Sequence, residues 1–283
     1  MIIDLHTHTF PDKIAASTIE KLAILSHTKP FSDGSTAGLM ASMAESGVDC
    51  CVVLPVATNP RQVTKVNDSS AQLNENFPET GILSLGCIHP DCPDWKEELD
   101  RIAALGLKGI KIHPVYQGVD VDDPRYLRIL DRCGQLGLLV VAHAGLDIGF
   151  PGQVNCSPRM FLNAVKQVGP VSMVLAHMGG WRNWDEVEEL LVDTTVCLDT
   201  SYALGQITPL DDHFSPEELP LMPEEQFIRM VRKFGAHRIC FGTDSPWGGQ
   251  KENLAMLRAL PLTEEELSAI LGGNAQRLLG LSQ

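Results

Sequence analysis

The chain is expected to fold as one (β/α)8 barrel of the TIM type, an α/β domain covering residues 1–283. Eight short apolar runs alternate with helix-patterned segments along the whole length. The runs are mostly continuous rather than alternating, as in parallel strands buried on both faces. The residues able to do chemistry gather at the ends of those runs, where a barrel places its catalytic groups.

The first strand spans residues 2–8, Ile2-Ile3-Asp4-Leu5-His6-Thr7-His8. Side chains alternate along a strand, so His6 and His8 share a face, about 7 Å apart. A lone His-x-His carries little information, and the later strands decide its meaning.

A helix over 11–27 follows, with Pro11 at its start and Ile14, Ile19, Leu22 and Leu25 at helical spacing. A second helix over 36–46 stops before Gly47 and leads into a strand over 48–54. The pattern then repeats. Helices over 61–76, 94–105 and 124–136 precede strands at 82–88, 109–113 and 138–143. A helix opening at Ser157-Pro158, cap then proline, precedes a strand at 172–177. Helices at 184–192 and 223–234 precede strands at 195–199 and 238–243, and helices at 250–259 and 263–279 close the chain. The loops 144–157 and 203–222 are long enough to serve as lids.

Such alternation means parallel strands joined by right-handed crossovers. A doubly wound open sheet is the alternative. Its dinucleotide-binding version lacks its main signal here, because no Gly-x-Gly-x-x-Gly follows the first strand.

Composition narrows the function. The 283 residues are 44% hydrophobic and 20% charged, as in ordinary globular domains. The net charge of −14 argues against nucleic acid or an anionic membrane as a partner. No stretch has the length of a membrane span, and Asp4 and His6 interrupt the start where a signal peptide would be apolar. The eight cysteines include no Cys-x-x-Cys pair and read as reduced packing residues, which points to the cytoplasm.

Five of the nine histidines end strands: His6 and His8 on the first, His113 on the fourth, His143 on the fifth and His177 on the sixth. Asp244 ends the eighth. Imidazoles with one carboxylate suit zinc or another first-row divalent ion (Mn, Fe or Co) and disfavour calcium or magnesium. The barrel ends would supply His6, His8, His143 and Asp244 as ligands.

The motifs Asp4-Leu5-His6-Thr7-His8, Lys111-Ile112-His113-Pro114, His143-Ala144-Gly145, His177-Met178-Gly179-Gly180 and Gly242-Thr243-Asp244-Ser245-Pro246 occur in that order, followed by the tail from Gly272 to Leu281. Together they resemble the amidohydrolase superfamily, and within it the amidohydrolase 2 group. The resemblance implies a distorted barrel with a divalent metal at its mouth, held by His6, His8, His143 and Asp244 as in mononuclear members. It casts His177 as acid or base beside the metal water, with Asp244 able to accept a proton as well.

In binuclear members a lysine on the fourth strand is carbamylated and bridges two metals. Lys111 is read instead as an unmodified cation, because the resemblance is closer to the mononuclear members; pointing inward, it would need an anion such as a substrate carboxylate. His113, Arg182, Tyr202 and Trp247 are further substrate-contact candidates, each also explicable as loop packing. His27, His213 and His237 fit no strand end and read as surface or helix residues.

The preferred reading is a hydrolase acting on an ester, lactone or amide of a small molecule through metal-activated water. The alternative is a non-oxidative decarboxylase of an unsaturated or aromatic carboxylate. A metal-binding scaffold without turnover is disfavoured, because every metal position is filled. A homodimer is common in the resembled group.

Overall fold

A computed structural model describes residues 1–215, 218–219 and 221–281. Pro216, Glu217 and Pro220 of the expected 203–222 loop, with Ser282 and Gln283, lie outside the described residues.

The strands are β1 (Ile3–Thr7), β2 (Cys50–Val53), β3 (Ile82–Ser84), β4 (Gly86–Cys87), β5 (Gly109–Ile112), β6 (Leu139–Ala142), β7 (Met173–Leu175), β8 (Cys197–Asp199) and β9 (Ile239–Cys240). All pair in parallel, β1-β2-β3 in one group and β4 through β9 in the other. Leu85 separates β3 from β4, and its N–H still donates to Val53 O at 3.0 Å. The two therefore form one barrel strand. The ring is completed between the ends of the chain: Leu5 N donates to Phe241 O at 2.9 Å, and Asp244 N to His6 O at 2.8 Å. The architecture is the expected (β/α)8 barrel, with eight strands found where the apolar runs lie.

Strand parity sorts the core. Leu139, Val141, Val174, Cys197 and Cys240 pack with Ile3, Leu5, Val52 and Leu85 in one cluster. Ile110, Ile112, Val140, Leu175, Leu198 and Ile239 pack in another, which also holds helix residues such as Leu99, Ile129, Phe161 and Phe227. The first cluster is thus the barrel interior and the second the layer between barrel and helices. Lys111, His113, His143, Asp199 and Asp244 have the interior parity and continue it to the C-terminal mouth.

β1 departs from simple alternation. Ile3 and Leu5 belong to the interior cluster, yet His6 and His8 also reach the mouth. The β1–β2 register shifts between Asp4 and Thr7. Such an irregularity re-aims the side chains beyond it.

The helices match their expected positions closely, for example Thr36–Ser46, Pro124–Leu136 and Gln250–Ala259. The last one differs. Over Ala269–Gly273 it widens into a π-helical turn between Glu264–Ser268 and Asn274–Leu279. There the backbone of Gly272 passes close to the first strand: a Cβ would stand 2.3 Å from Met1 O. Of the two expected lids, the 144–157 loop reaches the mouth. The 203–222 loop pairs instead with the segment after the first helix, through Lys29 N to Thr208 O and Leu210 N to His27 O, both 2.8 Å.

Candidate active site

His6, His8 and Asp244 meet at the mouth. Nε2 of His6 lies 3.2 Å and Nε2 of His8 3.0 Å from Asp244 Oδ1. The other ring nitrogens settle the tautomers. Nδ1 of His6 is 2.9 Å from the Asp199 carboxylate, an acceptor, and Nδ1 of His8 is 2.8 Å from the Leu54 carbonyl. Each Nδ1 therefore carries the proton and each Nε2 a lone pair. Two lone pairs and a carboxylate oxygen face one another, an arrangement that calls for a cation. The N,N,O donor set suits a first-row divalent ion. Burial pushes the His6 pKa well below its usual value, so the ring stays neutral, as a ligand must.

Asp199, the inward terminus of β8, organises the support. It accepts from His6 Nδ1, from the backbone N–H of His177 and Ser201, each of these two at 3.0 Å, and from the Ser201 hydroxyl. A carboxylate behind a ligating imidazole fixes its orientation and raises its basicity.

His177 and His143 form a second element. Nδ1 of His177 donates to Ser201 O at 3.0 Å, so its Nε2 is bare when neutral and accepts from His143 Nδ1 at 3.1 Å. The Nε2 of His143 is then also bare; it is buried and lacks a hydrogen-bond partner. His143 thus packs against His177 here and stands outside the trio of His6, His8 and Asp244.

Among the described residues one other group has metal-ligand character: His113, His143 and Asp147. The His113 and His143 rings stack 4.0 Å apart with planes 10° from parallel. In-plane lone pairs of stacked rings run side by side and do not converge on one ion. This group is therefore better suited to a substrate than to a metal. Burial raises the Asp147 carboxyl to about 6, against the lowering effect of the Gly149 and Phe150 amides.

Lys111 is 1% exposed, and its Nζ is 3.2 Å from His6 Nε2. Burial lowers its pKa to about 8, while Asp199 and Asp244 work in the opposite direction.

These residues line a cavity of about 280 Å³, close to the lower end of small-molecule sites, roughly 300 Å³. Phe10, Leu22, Leu54, Tyr116, Trp181 and Trp247 make much of its wall. Tyr202 also lines it, with its ring 5.7 Å from that of Trp181. Among the described residues Lys111 is the one lysine or arginine in the lining. Arg182 is not brought to the site. Its left-handed backbone (φ 62°) accompanies an exposed side chain, with the guanidinium over the Trp181 ring at 5.3 Å.

The backbone is strained where the site is built. Of six described non-glycine residues with left-handed φ, three, His177, Tyr202 and Asp244, line the cavity. Such conformations cost about 1–3 kcal/mol each and persist where surrounding structure enforces them. Gly145 (φ 84°) allows a close approach: a Cβ there would stand 2.3 Å from Trp181 N.

Two functional residues escape the motif reading. Asp199 ends a strand with the inward parity, and that parity was the available signal. Asp147 lies four residues beyond His143 in the 144–157 loop, where no periodicity points it inward.

Comparison with known proteins agrees with this geometry. The sequence profile of the family described as Amidohydrolase matches residues 3–281. The 2-amino-3-carboxymuconate-6-semialdehyde decarboxylase of Dictyostelium discoideum is 26% identical over 239 residues, 76% of this chain. The match spans 66% of that relative, just under two thirds of its length. An uncharacterised TIM-barrel protein from Bordetella bronchiseptica superposes with a TM-score of 0.74 at 19% identity, over 99% of this chain and 98% of that one. The 5-carboxyvanillate decarboxylase of Sphingomonas paucimobilis gives 0.66 at 17% identity, over 99% of both chains. At these identities the structural likeness speaks to the fold.

Proposed function

This chain belongs to the amidohydrolase family, whose members bind a divalent metal, and from that premise we propose that it is a non-oxidative decarboxylase of a small aromatic or unsaturated carboxylate. Hydrolysis, the reading preferred from the sequence, gives way to its alternative.

The observation that carries this is the cavity itself. One buried cation, Lys111, stands beside the His6, His8 and Asp244 cluster, and aromatic and aliphatic walls surround both. A carboxylate seated there loses water on its apolar side. Desolvation raises the energy of its localised charge, and that charge disperses as carbon dioxide departs. The names of the two decarboxylases above support the same choice.

The step breaks the bond between the carboxylate carbon and the ring or alkene carbon. Carbon dioxide leaves, the electron pair stays on the remaining carbon, and a proton takes the vacated position. The hydrogen-bonded His177 and His143 pair lines the cavity, and the bare Nε2 of His143 can take a proton from solvent and pass it to that carbon. Lys111 orients the carboxylate, and the aromatic walls hold the apolar body. When bound by His6, His8 and Asp244, zinc (or Mn, Fe or Co) supplies positive charge for the substrate oxygens.

The test is a substrate panel offered to the metal-loaded protein. It contains aromatic and unsaturated acids beside lactones, esters and amides, with released carbon dioxide and released acid measured separately. Carbon dioxide with a protonated product is expected. Acid release from a lactone, ester or amide with no carbon dioxide from any acid would contradict the proposal.

A further inference from the structure

The cavity has a second polar end, at the 144–157 loop. Asp147 lines the cavity there, and the Gly149 N–H holds its Oδ1 at 2.8 Å. Its Oδ2 faces His113 Nε2 at 3.5 Å and His143 Nε2 at 3.7 Å. Both distances exceed a normal hydrogen bond. The His143 nitrogen is the buried, partnerless one, and its proton lies on the far side of the ring, toward His177. An anionic oxygen and a bare nitrogen thus stand side by side with no hydrogen between them. The His113 Nε2 beside them can supply a donor when it carries the ring proton.

Two chemistries follow. A hydroxyl or amino group entering here finds acceptors for its hydrogens, and a hydroxyl oxygen can also accept from His113. A carboxylate entering here meets the charge of Asp147 and the lone pair of His143, with no arginine or second lysine in the lining among the described residues. Unpaired like charges in a desolvated pocket are strongly disfavoured.

We propose that Asp147 determines specificity: it receives a hydroxyl or amino substituent of a substrate that bears a single carboxylate, and it turns away substrates with a second carboxylate. The inference rests on the decarboxylase reading to the extent that the first carboxylate is assigned to Lys111. It adds what the far end of the substrate must be. It also explains why this cavity dispenses with a further cation.

The test is calorimetric binding to the zinc-loaded protein, scored apart from turnover. The probes are benzoate, 3-hydroxybenzoate, 4-hydroxybenzoate and the benzene-1,3- and 1,4-dicarboxylates. At least one hydroxybenzoate is expected to bind tenfold or more tightly than benzoate, and both dicarboxylates more weakly than benzoate. Asp147→Asn keeps an oxygen for Gly149 N and removes the charge. It is expected to shrink the hydroxybenzoate advantage and to tighten the dicarboxylates at least tenfold, with circular dichroism and zinc content unchanged.

The proposal is overturned if a dicarboxylate binds the parent protein as tightly as the hydroxybenzoates, if Asp147→Asn leaves the ranking unchanged, or if no probe binds. If the ranking holds while no probe or related acid releases carbon dioxide, the decarboxylase reading fails and the specificity assignment stands.

Discussion

Lys111 places its ammonium 3.2 Å from the lone pair of His6 that faces Asp244. The same side chain therefore bears on two ligands with opposite sign. It repels a metal cation at His6 and attracts a carboxylate anion in the cavity.

Lys111→Met removes both effects. Zinc affinity is expected to rise about tenfold, which corresponds to about 1.4 kcal/mol. KM for a carboxylate substrate is expected to rise by a similar factor or more. A chelator-competition titration reads the first and steady-state kinetics the second. Movement of both affinities in the same direction would show that the lysine acts through packing rather than charge.

Asp199 lies outside the cavity lining and holds His6 through Nδ1. An asparagine can turn its NH2 group toward that nitrogen and so move the imidazole proton to Nε2, where the metal lone pair should be. Asp199→Asn is expected to lower zinc affinity by about 10–100-fold, the usual range for such supporting groups. Unchanged zinc affinity in a folded variant would remove Asp199 from the account of the site.

Far from the mouth, Glu188 ties the helices Trp184–Leu190 and Glu224–Phe234 together. It accepts from Arg229 at 2.7 Å and from Lys233 at 2.7 Å. Burial would raise its pKa, but those partners win and hold it at about 2, below the usual 4.5. A depressed acid stabilises the fold above its unfolded pKa, and that contribution is lost as pH falls through the folded value. Glu188→Gln is expected to cost about 1 kcal/mol near pH 7, discounted because its partners are half-exposed. The difference should shrink from about pH 4.5 down to about pH 2. Denaturant unfolding of both proteins across that range checks the sign. A gap that widens on acidification would show that the pairing is not what stabilises this contact.

Much of the barrel was legible because its strands are buried on both faces: runs such as Leu138 to Ala142 stay apolar at both parities. His6, His8 and Asp244 were legible as strand ends, and Lys111 as an inward side chain needing an anion. What escaped depends on backbone detail that periodicity does not carry. The shift within β1 lets Leu5 and His6 both serve the interior. His177 and Arg182 both stand in left-handed turns, yet the first lines the cavity and the second is exposed. Asp147 gains its place from a loop whose path is fixed by Gly145 against Trp181. The choice between hydrolysis and decarboxylation was open for a related reason: it turns on the cavity wall, which many separate segments assemble.

The proposed chemistry depends most on a metal held by His6, His8 and Asp244. Its most direct test is zinc content per chain by elemental analysis after loading and exhaustive dialysis, for the parent protein, His8→Ala and Asp244→Ala. One ion per chain is predicted for the parent and a loss of at least nine tenths of it for each variant, with the fold kept by circular dichroism. Full zinc retention in both folded variants would contradict the assignment.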